Sequence, residues 1–324
     1  MDANEAVTAA IEAAFPGRRV ERTAEPGPSW NDDNRTVVVE FDGDDPPRAY
    51  LKVTLTGDGS RRRRETAAIR HVAARDAVPV PAVLAADPDG DPPYVATRPL
   101  EGESLRLAWD DADGEERAAL ARSFGRALAA VHETRLDRHG RVAEAGADPI
   151  DLRVDPRPWP DLLAEQIELT RDLADPGRFD DQFDRVLAVV DDHRDLLSDA
   201  PATLVRGDPA RPNAVRVADG VGLLDWELAH AGDPARELAR ARHQALDPLR
   251  GEADERLVRA LHDGYRDRAG SLPSGFERRR GPYRAVAFLG TAGHFERWID
   301  WNDAPADDLA AWVEAEMDRR LDAV

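Results

Sequence analysis

Three polar residues in the second half of the chain have types and spacing that suit phosphoryl-transfer chemistry. Asp208 follows a short apolar run and precedes Asn213 by five residues, and Asp225 ends a later apolar run. A strand–loop–strand–turn–strand unit would bring these side chains together at neighbouring strand ends. One carboxylate could then orient and deprotonate a hydroxyl, while the amide and the other carboxylate hold Mg²⁺ on phosphates. The alternative interpretation is three ordinary turn residues, because Asp and Asn are common between strands.

The motif order strengthens the first interpretation. The Asp-x-x-x-x-Asn spacing equals that of the kinase catalytic loop, and Asp-Trp-Glu occupies the place of Asp-Phe-Gly. The chain carries Arg206-Gly-Asp208, Asn213, Asp225-Trp-Glu227 and Gly232-Asp-Pro234 in that order. It therefore resembles the aminoglycoside phosphotransferase and choline kinase family, whose members carry His-Gly-Asp-x-x-x-x-Asn, Asp-Trp-Glu and Gly-Asp-Pro. The resemblance implies that Asp208 is the catalytic base and that Asn213 and Asp225 are the metal ligands.

The resemblance also implies a fold and an activity. The expected fold class is α+β, a two-lobed protein-kinase-like fold. A small β-rich N-lobe (1–100) would bind nucleotide, and a larger, mainly helical C-lobe (101–324) would carry the catalytic loop, the metal site and the acceptor pocket. The expected activity is transfer of the γ-phosphate of ATP, with GTP as the alternative, to an aminoglycoside-, choline- or sugar-like hydroxyl, assisted by Mg²⁺. The rival is a pseudokinase, a nucleotide-binding regulatory module without turnover.

Lys52 is the only lysine in the chain, and the other 43 of its 44 Lys and Arg residues are arginine. By resemblance, Lys52 grips the α- and β-phosphates from a strand, and Glu65 on the next helix is its ion-pair partner. A compact ammonium on a flexible stem suits this task, and a guanidinium is not equivalent. The alternative for Glu65 is a solvated helix acid beside Arg61–Arg64.

Further nucleotide contacts are predicted from the same resemblance. Ser29 is the side chain expected to help a phosphate-covering loop, and backbone groups near Thr97, Arg98 and Leu100 are expected to face adenine. Pro99, between them, has no N–H to donate.

Three features depart from the family pattern. Arg206 replaces the usual histidine, the loop Pro26–Asn31 has one glycine, and Pro209 follows the expected base. Arg206 could pair with a metal-binding carboxylate and compete with Mg²⁺. It could instead point behind the loop and bond carbonyls or an acid such as Asp233. We expect this second orientation, with Arg206 and Asp233 as supporting residues of the loop.

The elements that must position these residues can be read from apolar periodicity. Strands are expected at 36–41, 49–55, 80–85, 94–97, 203–206, 214–217 and 221–224. Helices are expected at 3–15, 61–75, 115–132, 160–174 and 179–197, with a helical pattern from 234 to the end.

The C-terminal helical region is expected to shape the acceptor pocket. Candidate side chains there are Glu237, His262, Tyr265, His294, Glu296 and Trp298. Metal-binding histidine spacings and the Gly-x-Ser-x-Gly motif of serine hydrolases are absent from the sequence.

Composition limits the partners. The formal net charge of −20 argues against nucleic acid and anionic membranes. The dispersed acids and the near absence of lysine predict a halophilic, haloarchaeal protein, although a GC-rich genome would also favour arginine and aspartate. The sequence has no cysteine, no export signal and no long apolar run, so we expect a cytoplasmic monomer or weak dimer acting on a small molecule.

Overall fold

The computed structural model describes residues 2–27, 33–43, 45–145 and 151–324. The chain packs as two compact units. The first comprises Met1–Glu116, Val142–Asp155 and Arg206–His230, and the second comprises Arg117–Arg141, Pro156–Val205 and Ala231–Val324. The first unit therefore contains both the N-terminal sheet and the segment with the predicted catalytic residues. The functional division near residue 100 stays a prediction.

The strands of the described residues lie mainly in the first unit. They are β1 (Val20–Ala24), β2 (Asn34–Phe41), β3 (Arg48–Thr54), β4 (Val83–Asp87), β5 (Tyr94–Thr97), β6 (Glu103–Ser104), β7 (Gly140–Ala145), β8 (Leu152–Pro156), β9 (Thr203–Val205), β10 (Ala214–Val217), β11 (Gly220–Leu223) and β12 (His230–Gly232).

Helices dominate the second unit. The helices are α1 (Ala3–Ala14), α2 (Ser60–Ala74), α3 (Leu105–Asp111), α4 (Gly114–His132), α5 (Trp159–Arg171), α6 (Asp180–Asp192), α7 (Arg194–Ser198), α8 (Pro234–Ala241), α9 (Glu255–Ala269), α10 (Phe276–Gly293), α11 (Phe295–Trp298) and α12 (Ala306–Leu321). The predicted α+β class, with a β-rich N-terminal part and a mainly helical C-terminal part, is confirmed.

The N-terminal sheet has the strand order β1-β2-β3-β5-β4 and is antiparallel throughout. Successive side chains of a strand point to opposite faces. Leu51 and Val53 of β3 are fully buried in one core with Ala6 and Ala10 of α1. Lys52 between them must face the other side, and it contacts α2 there. The alternation of β3 thus directs the single lysine away from the apolar core.

A small sheet of order β11-β10-β6 carries the catalytic segment. Its strands β10 and β11 form an antiparallel hairpin in which Ala214 pairs with Leu223. The ends of a hairpin lie side by side, so the residues just before β10 and just after β11 are neighbours. These residues include Asn213 and Asp225.

Buried polar clusters join the helices of the second unit. Asp233 caps α8 through the Ala235 N–H and accepts hydrogen bonds from Arg279 Nε (2.6 Å) and the Tyr283 hydroxyl (2.7 Å). The Tyr283 oxygen in turn accepts a hydrogen bond from the Trp159 indole (2.7 Å). A buried carboxylate needs such partners. Those of Asp233 come from α8 and α10, and Trp159 of α5 extends the cluster through Tyr283.

Some elements differ from the sequence-based expectation. Strands β7 and β8 were not predicted, because β8 is largely exposed and lacks an apolar run. The helix expected at 179–197 is interrupted at His193, which ends α6 and precedes α7. Strand β1 was also not predicted, and its three central residues are exposed.

Within the described ranges, no helix combines the length and hydropathy needed to cross a bilayer.

Candidate active site

The site is built around the open end of the β10–β11 hairpin. The backbone N–H of Leu224 donates to the Asn213 carbonyl over 2.9 Å, which extends the hairpin by one rung and sets Asn213 beside the residue that follows. That residue, Asp225, has a φ of +57°, a left-handed conformation uncommon for a side-chain-bearing residue. The buried Trp226 donates its indole N–H to the Leu223 carbonyl (3.2 Å) and holds this turn in place.

The predicted base and one predicted metal ligand are in direct contact. Asn213 Nδ2 donates to Asp208 Oδ2 over 2.7 Å. The preceding Gly207 has a φ of +91°, and a Cβ there would lie 2.5 Å from the Leu228 carbonyl oxygen. Glycine is therefore required at this position for two reasons, its backbone conformation and the close approach of Leu228. The structure brings Asp208 and Asn213 together, as the motif predicts.

Arg206 lies behind the catalytic loop, the second of the two expected orientations. Its side chain is fully buried, and Nη1 donates to the carbonyls of Asn213 and Leu224, each over 2.8 Å. These two carbonyls belong to the two ends of the hairpin. A guanidinium is suited to such bridging because it carries five donors in a rigid fork.

The single lysine joins two predicted site acids. Lys52 Nζ lies 2.7 Å from Glu65 Oε1 and 2.7 Å from Asp225 Oδ1. Burial alone would lower the pKa of Lys52, but the Asp225 and Glu65 carboxylates outweigh it and raise the pKa above its usual value. Burial likewise opposes ionisation of Asp225, yet Lys52, Arg62 and Arg206 hold its pKa below the usual range. Lys52 and Asp225 therefore form a charged pair at neutral pH.

Sequence reasoning missed two members of this cluster. Arg62, fully buried, donates from Nη1 to Glu65 Oε2 (2.6 Å) and from Nη2 to Glu227 Oε2. For Arg62 a signal was present in the sequence, because Arg62, Glu65, Ile69 and Val72 recur at the spacing of one helix face. Nothing in the sequence marked Glu227 as its partner. The alternative of a solvated Glu65 is wrong, since its side chain is 4% exposed.

The residues predicted to face adenine lie at the end of β5. Thr97 pairs with Tyr50 of β3, and the Arg98 N–H is already used by the Ala82 carbonyl (2.8 Å). The Leu100 side chain packs where a Cβ of Gly222 would otherwise lie. A contact of this segment with adenine stays a prediction. Ser29 lies outside the described residues.

Three of the six side chains predicted to shape the acceptor pocket are buried. Glu237 and Tyr265 are buried partners of His132, with Glu237 Oε2 2.7 Å from Nε2 and the Tyr265 hydroxyl 3.0 Å from Nδ1. They join α4, α8 and α9 within the second unit. Trp298 is buried too and donates to the Thr291 carbonyl over 2.8 Å. The burial and the contacts of these three side chains are those of residues that pack helices together.

The remaining candidates are less buried. His262, His294 and Glu296 have intermediate exposure, and Glu296 pairs with Arg178 at 2.8 Å.

The donor set near Asp225 is compatible with magnesium. Across the part of the chain that the structure describes, no three histidine, aspartate or glutamate side chains are grouped to hold a metal by themselves. Mg²⁺ does not require such a group, because it keeps several waters and binds one or two carboxylates together with substrate phosphates. Asn213 donates from Nδ2 to Asp208, so its amide oxygen is the atom suited to coordination. This oxygen and the Asp225 carboxylate form a hard-oxygen set that fits the ion.

Comparison with known proteins identifies relatives of this arrangement. The sequence model of the phosphotransferase enzyme family matches residues 28–272, about three quarters of the chain. Comparison with curated proteins gives no significant match.

Several solved structures share the fold. A candidate fructosamine-3-kinase from Thermobifida fusca YX-ER1 is 21% identical, with 100% of both chains covered and a TM-score of 0.63. A thermostable mutant of aminoglycoside phosphotransferase APH(4)-Ia, in ternary complex with ADP and hygromycin B, is 18% identical, with 93% of this chain and 94% of that chain covered and a TM-score of 0.60. Choline kinase from Cryptosporidium parvum Iowa II is 12% identical, with 98% and 94% covered and a TM-score of 0.59.

Proposed function

Because the chain belongs to the phosphotransferase enzyme family, we propose that it transfers the γ-phosphate of ATP to a hydroxyl group of a small molecule. The observation that carries this proposal is the cluster around the single lysine, whose ammonium lies 2.7 Å from carboxylate oxygens of both Glu65 and Asp225. Enzymes that transfer phosphoryl groups hold the phosphates with a lysine whose ammonium pairs with a glutamate on a helix, next to an aspartate that follows a strand.

The nucleotide would lie against Lys52. Glu65 holds the ammonium of this lysine from one side. On its other side the ammonium bonds Asp225, and there it would be shared with phosphate oxygens when nucleotide enters. The ADP complex of the related aminoglycoside phosphotransferase supports an adenine nucleotide. The related structures give no support for GTP.

Asn213 and Asp225 would hold Mg²⁺. When bound, the ion would neutralise charge on the phosphate oxygens and favour departure of the nucleoside diphosphate. The Asn213 amide is oriented for this by its own Nδ2 donation to Asp208, and Asp225 is held by the turn that Trp226 fixes.

Asp208 would accept the proton of the attacking hydroxyl. A bond forms between the acceptor oxygen and the γ-phosphorus, the bond from that phosphorus to the bridging oxygen breaks, and the hydroxyl proton passes to Asp208. The hydrogen bond from Asn213 Nδ2 to Oδ2 holds the Asp208 carboxylate beside the proposed metal ligand. Asp208 therefore contacts the acceptor and not the nucleotide.

The acceptor is proposed as an aminoglycoside-, choline- or sugar-like hydroxyl compound, the classes that the names of the solved relatives cover. A panel of such compounds, assayed for ATP consumption in molar KCl, would identify it.

Replacement of the base tests the proposal. Asp208→Asn should lower turnover roughly 100- to 10,000-fold, the range of general acid–base catalysis, while Mg·ATP affinity measured by calorimetry stays near wild type. Asp225→Ala should instead weaken Mg·ATP binding directly. A loss of nucleotide affinity in Asp208→Asn as large as its loss of turnover would contradict the assigned role. Nucleotide binding by wild type without turnover on any acceptor would favour the pseudokinase instead.

A further inference from the structure

The charged cluster continues beyond the residues that the catalytic motifs predict. Glu65 has two carboxylate oxygens, and each has a different cationic partner: Oε1 accepts from Lys52 and Oε2 accepts from Arg62. The terminal torsion of a glutamate is broad and poorly fixed by itself. Two partners on opposite oxygens fix it, so Arg62 determines the direction in which Glu65 presents its other oxygen to Lys52.

Arg62 also reaches the turn that carries Asp225. Its second terminal nitrogen donates to the side chain of Glu227, two residues after Asp225. Arg64, on the same helix, donates to the Glu227 backbone carbonyl over 2.9 Å. The N-terminal turn of α2 therefore holds this residue at both its side chain and its main chain.

These contacts close a ring. From Lys52 the ring passes to Glu65, to Arg62 and to Glu227, and returns through the backbone to Asp225, which bonds Lys52. The Arg62 side chain is 0% exposed and that of Glu227 is 16% exposed, so water screens their attraction weakly. Three separate elements, β3, α2 and the turn after β11, are thereby held in one geometry.

We propose that Arg62 and Glu227 are positioning residues for phosphoryl transfer, which set Lys52 and Asp225 at the spacing that Mg·ATP requires. This inference rests on the proposed function and adds two residues to its machinery. Neither residue touches the reacting atoms, and they act through Glu65 and Asp225. A purely structural pair would contribute only to the free energy of unfolding.

The test is a double-mutant cycle of Arg62→Gln, Glu227→Gln and the double variant. Calorimetry gives the dissociation constant of Mg·ATP, and kcat is normalised to folded protein at a temperature well below all melting transitions. Each single variant should weaken Mg·ATP binding roughly 10- to 100-fold, the usual effect of losing a group that orients a metal or phosphate ligand. The double variant should lose no more than Arg62→Gln alone, because Glu227 acts on Glu65 and Lys52 through its contact with Arg62, which that variant already lacks.

Matched variants separate position from charge. Arg63→Gln, next to Arg62 but paired with the exposed Asp89, should bind and turn over like wild type. Arg62→Lys restores the charge, yet one ammonium does not reproduce two fixed nitrogens that reach two carboxylates. It should therefore recover stability more than nucleotide affinity.

The outcomes are distinguishable. Lower melting temperatures with unchanged Mg·ATP affinity and kcat would overturn the inference and leave Arg62 and Glu227 as a structural pair. If Arg62→Gln fails to fold, Glu227→Gln decides, because it keeps the size of a partly exposed side chain. Absence of Mg·ATP binding in wild type would instead overturn the proposed function, and with it the inference.

Discussion

Arg206 shows how one residue can depart from a family motif and keep its place in the loop. Its Nη1 bonds the carbonyls of Asn213 and Leu224, the two backbone groups at the open end of the β10–β11 hairpin. The guanidinium therefore supports the loop from behind, and its charge also contributes to the low pKa of Asp225.

Substitution of Arg206 should affect stability before metal affinity. Arg206→Ala leaves two partly buried carbonyls without this donor, which should cost about 1–3 kcal/mol of unfolding free energy. Arg206→His should retain most of the activity, because the motif that this segment resembles has histidine at this position. Denaturant unfolding and Mg²⁺ titration of nucleotide binding measure the two effects. A large gain in Mg²⁺ affinity on Arg206→Ala would show instead that the arginine competes with the ion.

At the level of single residues, the sequence predicted the residues of the motifs better than the residues that hold them in place. Lys52, Glu65 and Asp225 meet as the motif order implied, since each is set by spacing along the chain. The contact of Arg62 with Glu227 could not be predicted in the same way, because no motif assigns Arg62 a partner and only the fold brings the two residues together. The helix-face spacing of Arg62 indicated burial, but not its partner.

The elements explain why the site residues are fixed. The alternation of β3 separates Lys52 from the apolar core, and the hairpin register sets Asn213 beside the residues that follow β11. Long periodic elements such as α2 and α4 were predictable from sequence, since their apolar faces are buried. The exposed strand β8 was not predictable, because little of its surface enters a core and no apolar pattern marks it.

Helix α9 contains a titratable group whose surroundings predict an acid-dependent loss of stability. Burial lowers the pKa of His262 from 6.5 to about 4, and the positive charges of Arg266, Arg242 and Arg280 act in the same direction. The unfolded chain then binds more protons than the folded chain between these pH values. The contribution of His262 to the free energy of unfolding is therefore fully present above pH 6.5 and is lost as the pH falls toward 4.

His262→Gln should remove this part of the pH dependence. Wild type should lose on the order of 1–3 kcal/mol more unfolding free energy than the variant between pH 6.5 and 4. Denaturant unfolding at a series of pH values measures the difference, with His193→Gln as the control for loss of a histidine elsewhere. Parallel curves for wild type and His262→Gln would contradict the assignment.

The whole molecule carries a net charge of −20 with one lysine, a surface composition that we interpret as an adaptation to high salt. Many of its arginines pair with acids near the surface, such as Arg122 with Asp267 and Arg268 with Glu133. Exposed pairs of this kind contribute about 0–1 kcal/mol each. The unbalanced acids repel one another, and salt screens that repulsion.

The melting temperature should therefore rise between roughly 0.1 M salt, where the Debye length is about 10 Å, and molar KCl. Each kcal/mol of relieved repulsion should raise it by roughly 2–4 °C. Potassium chloride is preferable to sulfate, which stabilises proteins generally by exclusion from their surface. An unchanged melting temperature would contradict the halophilic interpretation and leave the phosphotransferase assignment intact.

The cluster around Lys52 is the proposed nucleotide site, and the single lysine allows a direct test of this assignment. An amine-reactive reagent can modify only Lys52 and the N-terminal amine, and peptide mass spectrometry distinguishes the two. Saturating Mg·ATP should protect Lys52, because phosphate would cover its ammonium, and it should leave the labelling of the N-terminus unchanged as an internal control. Substantial labelling of Lys52 that is equal with and without Mg·ATP would show that this lysine does not face the phosphates.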